Sequence, residues 1–117
     1  MTNVVVLIGR LARPVQLRQL PSGDMLAEYQ LTVTPRPGQK AESVPVVWEK
    51  PPASATDPGP DVDIVVVGRV RRRFFRTGAG IQSRTEVVAE AVLPSRQVKK
   101  VRAALAGACA QIEGVAS

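Results

Sequence analysis

Apolar and polar positions alternate along much of this chain with the two-residue period of β-strands. Residues Met25 to Thr34 alternate most cleanly: Met25, Ala27, Tyr29, Leu31 and Val33 fall on one face, Glu28, Gln30, Thr32 and Thr34 on the other. Asn3 to Leu11 is a β-prone run ending near Gly9, and Val44 to Lys50 is a third strand whose Val44, Val46, Trp48 and Lys50 share a face. Pro45 lacks an amide hydrogen, so it is expected at an edge or bulge. A fourth strand opens at the unbroken β-branched run Ile64 to Val67, which reads as buried on both faces. Gly68 then marks a bulge or a close backbone approach. Beyond it, Arg69, Arg71, Arg73 and Phe75 are expected on one face, and Val70, Arg72 and Phe74 on the other. A fifth strand, Arg84 to Leu93, sets Thr85, Val87, Ala89, Ala91 and Leu93 against Glu86, Val88, Glu90 and Val92.

The connections follow from turn residues. Residues 21–24 (Pro-Ser-Gly-Asp) form a turn, 35–40 a basic, proline-stiffened loop, and 77–80 a glycine-rich hairpin. Residues 51–61 are a proline-rich connector in which a regular helix is excluded. Residues 12–20 are mixed, with Pro14 barred from a central ladder position. After Pro94 the period changes. Ser95 is a candidate N-cap for a helix from Arg96 to Ile112, with Gly114 past its end. Val98, Val101, Leu105, Ala108, Cys109 and Ile112 make its apolar stripe, and Arg96, Lys99, Lys100 and Arg102 make its first turns basic. The expectation is an all-β domain over residues 1–94 followed by a C-terminal helix and short tail over 95–117. Five strands with a longer connector between the third and fourth fit an OB-fold, a five-stranded Greek-key barrel; an SH3-like barrel or half sandwich fits the same count.

Composition and charge narrow the function. With 117 residues the chain is one domain, and aromatics are only 3 %, so the core is aliphatic. A net charge of +6 favours polyanionic partners. No apolar run reaches membrane-spanning length, the N-terminus lacks the basic-then-apolar order of a secretion signal, and Cys109 is the single cysteine; the expected setting is cytoplasmic and reducing. There is no histidine, which removes the usual general base, and Cys109 has no activating partner. Asp57, Asp61 and Asp63 cluster in the connector without a supporting ligand set. No catalytic residue, metal, cofactor or small-molecule substrate is expected. The arginine row leading to Phe75 is what single-stranded nucleic acid requires: cations follow phosphates, and a ring offers a stacking face to any base. A solvated edge strand is the simpler alternative. Tyr29 and Phe74 read as core, or for Phe74 as a subunit contact.

Four segments, Asn3-Val-Val-Val-Leu-Ile-Gly-Arg-Leu, Leu17-Arg-Gln-Leu-Pro-Ser-Gly, Val65-Val-Val-Gly-Arg-Val-Arg and Thr85-Glu-Val-Val-Ala-Glu, resemble in order and spacing the bacterial single-stranded DNA-binding proteins of the SSB type. The resemblance implies an OB-fold, sequence-independent binding of single strands in replication, repair or recombination, association with the nucleoid, and homo-oligomers, dimeric or tetrameric. It assigns Trp48 and Phe75 to stacking, and Arg18, Lys50, Arg71 and Arg73 to the strand's path. Arg69 joins the row by alternation, and Arg36 and Lys40 could steer a strand from their loop. The departures from the family pattern are specific. Glu42 stands where an aromatic is usual, the loop after Thr34 is short, residues 51–61 replace a helix, and a helix stands in place of a glycine-rich, acidic-tipped tail. These features look like a shortened paralogue. The alternatives are a primosome-type or RNA-binding OB accessory module, and a structural paralogue forming mixed oligomers with a full-length relative.

Overall fold

The computed structural model describes residues 3–34, 36–53, 55 and 57–116. Met1, Thr2, Pro35, Ser54, Thr56 and Ser117, which belong to the expected segments, loop and connector, lie outside the described residues. The elements are β1 (Val5–Leu11), β2 (Gln16–Gln19), β3 (Met25–Val33), β4 (Glu42–Glu49), β5 (Ile64–Thr77), β6 (Gly80–Pro94) and α1 (Val98–Ala116). The strands lie in the order β1-β5-β6-β4-β3-β2, and β1 also pairs with β3, so the sheet closes on itself. All pairings are antiparallel except β4 with β6, which is parallel through Val46↔Val87 and Val47↔Val88.

The strand missing from the sequence reading is β2. It follows β1 along the same partner: Arg10 and Leu11 oppose Thr32 and Leu31, and Gln16 to Gln19 oppose Glu28 to Met25. The interruption between them contains Pro14, which cannot donate to the ladder. All four β2 residues are exposed, so no alternation announces the strand. Pro45 is tolerated because β4 is paired only on its β3 side there; its contact with β6 begins at Val46.

One face of every ring strand points inward. Leu11, Ala27, Tyr29, Leu31, Val46, Ile64, Val66, Val87 and Ala89 form this main core, with Trp48, Val44 and Val92 packed against it. The run Ile64–Val67 is buried on both faces, as its composition indicates. Ile64 and Val66 face the ring interior, whereas Val65 and Val67 lie under α1 with Ala91, Val101, Ala104, Leu105 and Ala108. Gly68 answers to both of its expected roles. The β5–β6 register shifts between Val67 and Gly68, and a Cβ at Gly68 would stand 2.1 Å from the Val88 carbonyl oxygen. Val67 opposes Ala91 and Gly68 opposes Ala89, so Glu90 is the extra residue. That bulge reverses the parity expected of β6: Ala91 turns to the helix and Val92 to the interior.

The helix starts later than expected. Gln97, not Ser95, accepts the first helical bond, from Val101 N at 3.0 Å; Ser95 N donates instead to the Asp63 carbonyl. Gly114 lies inside α1 rather than beyond it. Of the expected stripe, Val101, Leu105 and Ala108 pack on the sheet, joined by Ala104, while Val98, Cys109 and Ile112 are exposed. No helix among the described residues is long and apolar enough to cross a membrane.

Candidate nucleic-acid interface

Beyond the bulge, β5 and β6 run on together to Thr77 and Gly80, and from the Arg72–Thr85 pair outward they form an exposed two-stranded arm. Gly80 closes its turn with φ +116°, a backbone that a side chain resists. The arm, the β2–β3 turn and the outer face of β3 and β4 enclose a cleft of about 750 Å³. Its apolar floor is Leu20, Leu26 and Val47, part of a small outer cluster with Val88. Its walls carry Arg18, Arg71, Arg72, Arg73 and Arg84, the Phe74 ring, and three carboxylates, Glu28, Glu49 and Glu86.

The carboxylates determine which cations are free. Arg18 Nη1 lies 2.8 Å from Glu28 Oε1. Arg71 bridges two acids, with Nη2 2.9 Å from Glu86 Oε1 and Nη1 3.4 Å from Glu49 Oε1. Arg73 Nε stands 3.7 Å from the same Glu86 oxygen. The hydrogen bond to Glu86 raises the Arg71 pKa, so this guanidinium keeps its charge at any working pH. Arg72 donates to Ser83 Oγ at 3.1 Å and its guanidinium carbon lies 5.6 Å from the Phe74 ring centre. Among the described residues, no carboxylate lies within ion-pair distance of Arg72 or Arg84.

Of the residues expected to meet nucleic acid, the cleft gathers Arg18, Arg71 and Arg73 and leaves out six. Trp48 was expected, with Phe75, as a stacking ring on the strand's path, but β4 turns it inward with Val44 and Val46; Val47 and Glu49 occupy the cleft face. Lys50 lies past the end of β4 with φ 50° and Nζ 3.8 Å from Asp24 Oδ2, outside the cleft. Arg69 is exposed beside the bulge, and Arg36 and Lys40 are exposed in their loop; none lines the cleft. Phe75 pairs across the arm with Gln82 and lies 6.0 Å from the Arg73 guanidinium, while Phe74, expected in a core or subunit contact, is 65 % exposed and lines the cleft. Arg72, Phe74 and Arg84 are not among the residues expected from alternation, because an arm open on both faces lets residues of either parity reach the cleft. The three glutamates were legible as polar positions, but their convergence depends on strand order.

Two of the three connector aspartates, Asp57 and Asp63, have structural partners. Both oxygens of Asp57 accept backbone N–H groups, from Val15 at 3.0 Å and Gly59 at 2.8 Å, and Asp63 pairs with Arg10 at 2.8 Å. Neither the protein-family models nor the curated proteins compared with this chain give a match.

Proposed function

We propose that the chain is an OB-fold protein of the SSB type that binds single-stranded DNA without reading its sequence. If β1 and β2 are taken as one strand broken at Pro14, the ring has five strands, with the third and fifth parallel. In an OB-fold, oligonucleotides lie on the face of the second and third strands, between the first hairpin turn and the loop joining the last two strands. The arginine-lined cleft has this position, and that observation carries the reading. Arg72 and Arg84 supply uncompensated charge for phosphates, and Phe74 supplies a stacking face. The experiment is competition for a fluorescent dT oligomer: unlabelled dT strands should displace it and duplex of equal length should not. Displacement by duplex at equal concentration contradicts the reading.

One observation favours a second role. Each cation assigned to the strand by resemblance, Arg18, Lys50, Arg71 and Arg73, has a carboxylate within 4 Å. A subunit with its charges so engaged suits weak binding within a mixed oligomer. Weak dT binding by the pure chain, strengthened by a full-length relative that co-purifies with it, would support that role.

A further inference from the structure

A second cavity, of about 230 Å³, shares no lining residue with the cleft. Its walls include Tyr29 and Trp48, the only tyrosine and the only tryptophan of the chain. Arg96, Gln97 and Lys100 approach from the start of α1, and Asp57 from the connector.

Tyr29 is 5 % exposed, and none of the described residues hydrogen-bonds its hydroxyl. Asp57, whose two oxygens each accept one backbone N–H, from Val15 and Gly59, borders the same cavity. Desolvation, and secondarily the charge of Asp57, pushes the Tyr29 pKa up to about 12, so the group is a neutral donor and acceptor. At the other wall, Arg96 and Lys100 have no ion-pair partner among the described residues. The first turn of α1 carries no acidic residue, and its leading amides have no helical acceptor. One cavity therefore combines an aromatic wall, a tyrosine hydroxyl and a cationic rim.

We propose that this cavity binds a nucleotide, with the base against Trp48, its polar edge on the Tyr29 hydroxyl, and the phosphate at Arg96, Lys100 and the start of α1. The volume, below the usual range of drug-sized sites, suits the base alone, with the sugar and phosphate lying out at the cationic rim. A free mononucleotide and the phosphorylated end of a strand present the same chemistry. Only the strand-end form rests on the single-strand reading above.

Trp48 reports on its own site. With the full chain, thymidine 5′-monophosphate should change its emission saturably, and thymidine without phosphate should bind at least tenfold more weakly. The exposed double variant Arg96→Gln/Lys100→Gln should lose about tenfold in affinity at unchanged melting temperature, Tyr29→Phe several-fold, and the cleft variant Arg72→Gln nothing. A dT oligomer that binds several-fold tighter with a 5′-phosphate than without identifies a strand end as the occupant; a response to the mononucleotide with no such difference identifies free nucleotide. If the mononucleotide is bound and no oligomer is, the cavity proposal stands and the single-strand reading falls. Equal response to nucleotide, thymidine and inorganic phosphate, an unaffected double variant, or no response to nucleotide or oligomer overturns the proposal.

Discussion

Arg71 Nη2 donates a 2.9 Å hydrogen bond to Oε1 of Glu86, whose side chain is 1 % exposed. Glu86 is the only buried charged residue among the described residues, and Arg71 Nε and Glu86 Oε2 are buried without a hydrogen-bond partner. The pair is thus joined at one oxygen only, with Arg73 as a distant second cation. Arg71 neutralises a carboxylate that burial would otherwise penalise, so its first role is to hold the cleft together.

Arg71→Ala should therefore destabilise the fold. Removing one partner of a fully buried pair costs about 3–5 kcal/mol; with Arg71 itself one-third exposed, about 2–4 kcal/mol is expected. Urea unfolding measures it. A loss below about 0.5 kcal/mol, the range of ordinary surface substitutions, would show that Glu86 does not depend on this cation.

The two aromatic assignments separate by what is lost. Phe74→Ala should weaken dT binding by about 1–3 kcal/mol, the worth of a base–aromatic stack, and leave the melting temperature unchanged. Trp48→Ala removes a ring packed on the main core and should cost about 3–5 kcal/mol of stability, less in proportion to its partial exposure. Titrations and melts of both variants check the contrast; the reverse pattern would restore Trp48 to the strand's path.

Much of the fold was legible because burial is one-sided. The alternation of Ala27, Tyr29 and Leu31 and the double burial of Ile64 to Val67 follow from elementary patterning, and Gly68 announced the bulge. Where the bulge lay on the partner strand was not legible, since Glu90 is an ordinary polar residue, and so the faces of Ala91 and Val92 were exchanged. The candidate site was less accessible. A strand's period places Trp48 and Glu49 on opposite faces without saying which face is the cleft. That depends on the closing of the ring through β1 and β3, a pairing between distant segments. The engagement of the arginines by Glu28, Glu49 and Glu86 likewise needs three strands side by side.

Gly68→Ala tests the close approach at the bulge. Its Cβ would meet backbone atoms, the Val88 carbonyl oxygen at 2.1 Å and carbon at 2.9 Å, which cannot rotate away as a side chain does. Overpacking typically costs about 1–3 kcal/mol, and the upper end or beyond is expected here. Thermal melting reads the loss; an unchanged midpoint would contradict the close approach.

Tyr29 makes a prediction at alkaline pH. Its ordinary pKa of 10.0 rises to about 12 in the folded chain, first through desolvation and then through Asp57. The folded state therefore retains a proton that the unfolded state releases. The stability linked to this group is complete below pH 10 and is lost as pH rises towards 12. At about 1.4 kcal/mol per pH unit the loss has an upper bound of about 2–3 kcal/mol, reduced by solvent screening at the hydroxyl. Tyr29→Phe should show a shallower alkaline decline than the parent chain; identical declines would mean that Tyr29 is not the group responsible.

The most direct test of the central claim is the binding of a fluorescent dT oligomer across a salt series. Each phosphate contact on a single strand contributes about −0.7 to the log–log slope, so Arg72 and Arg84 together predict about −1.4. Arg72→Gln should reduce this to about −0.7 and weaken binding at every salt concentration. No binding at low salt, or equal affinity for duplex, would contradict the assignment of the cleft to single strands.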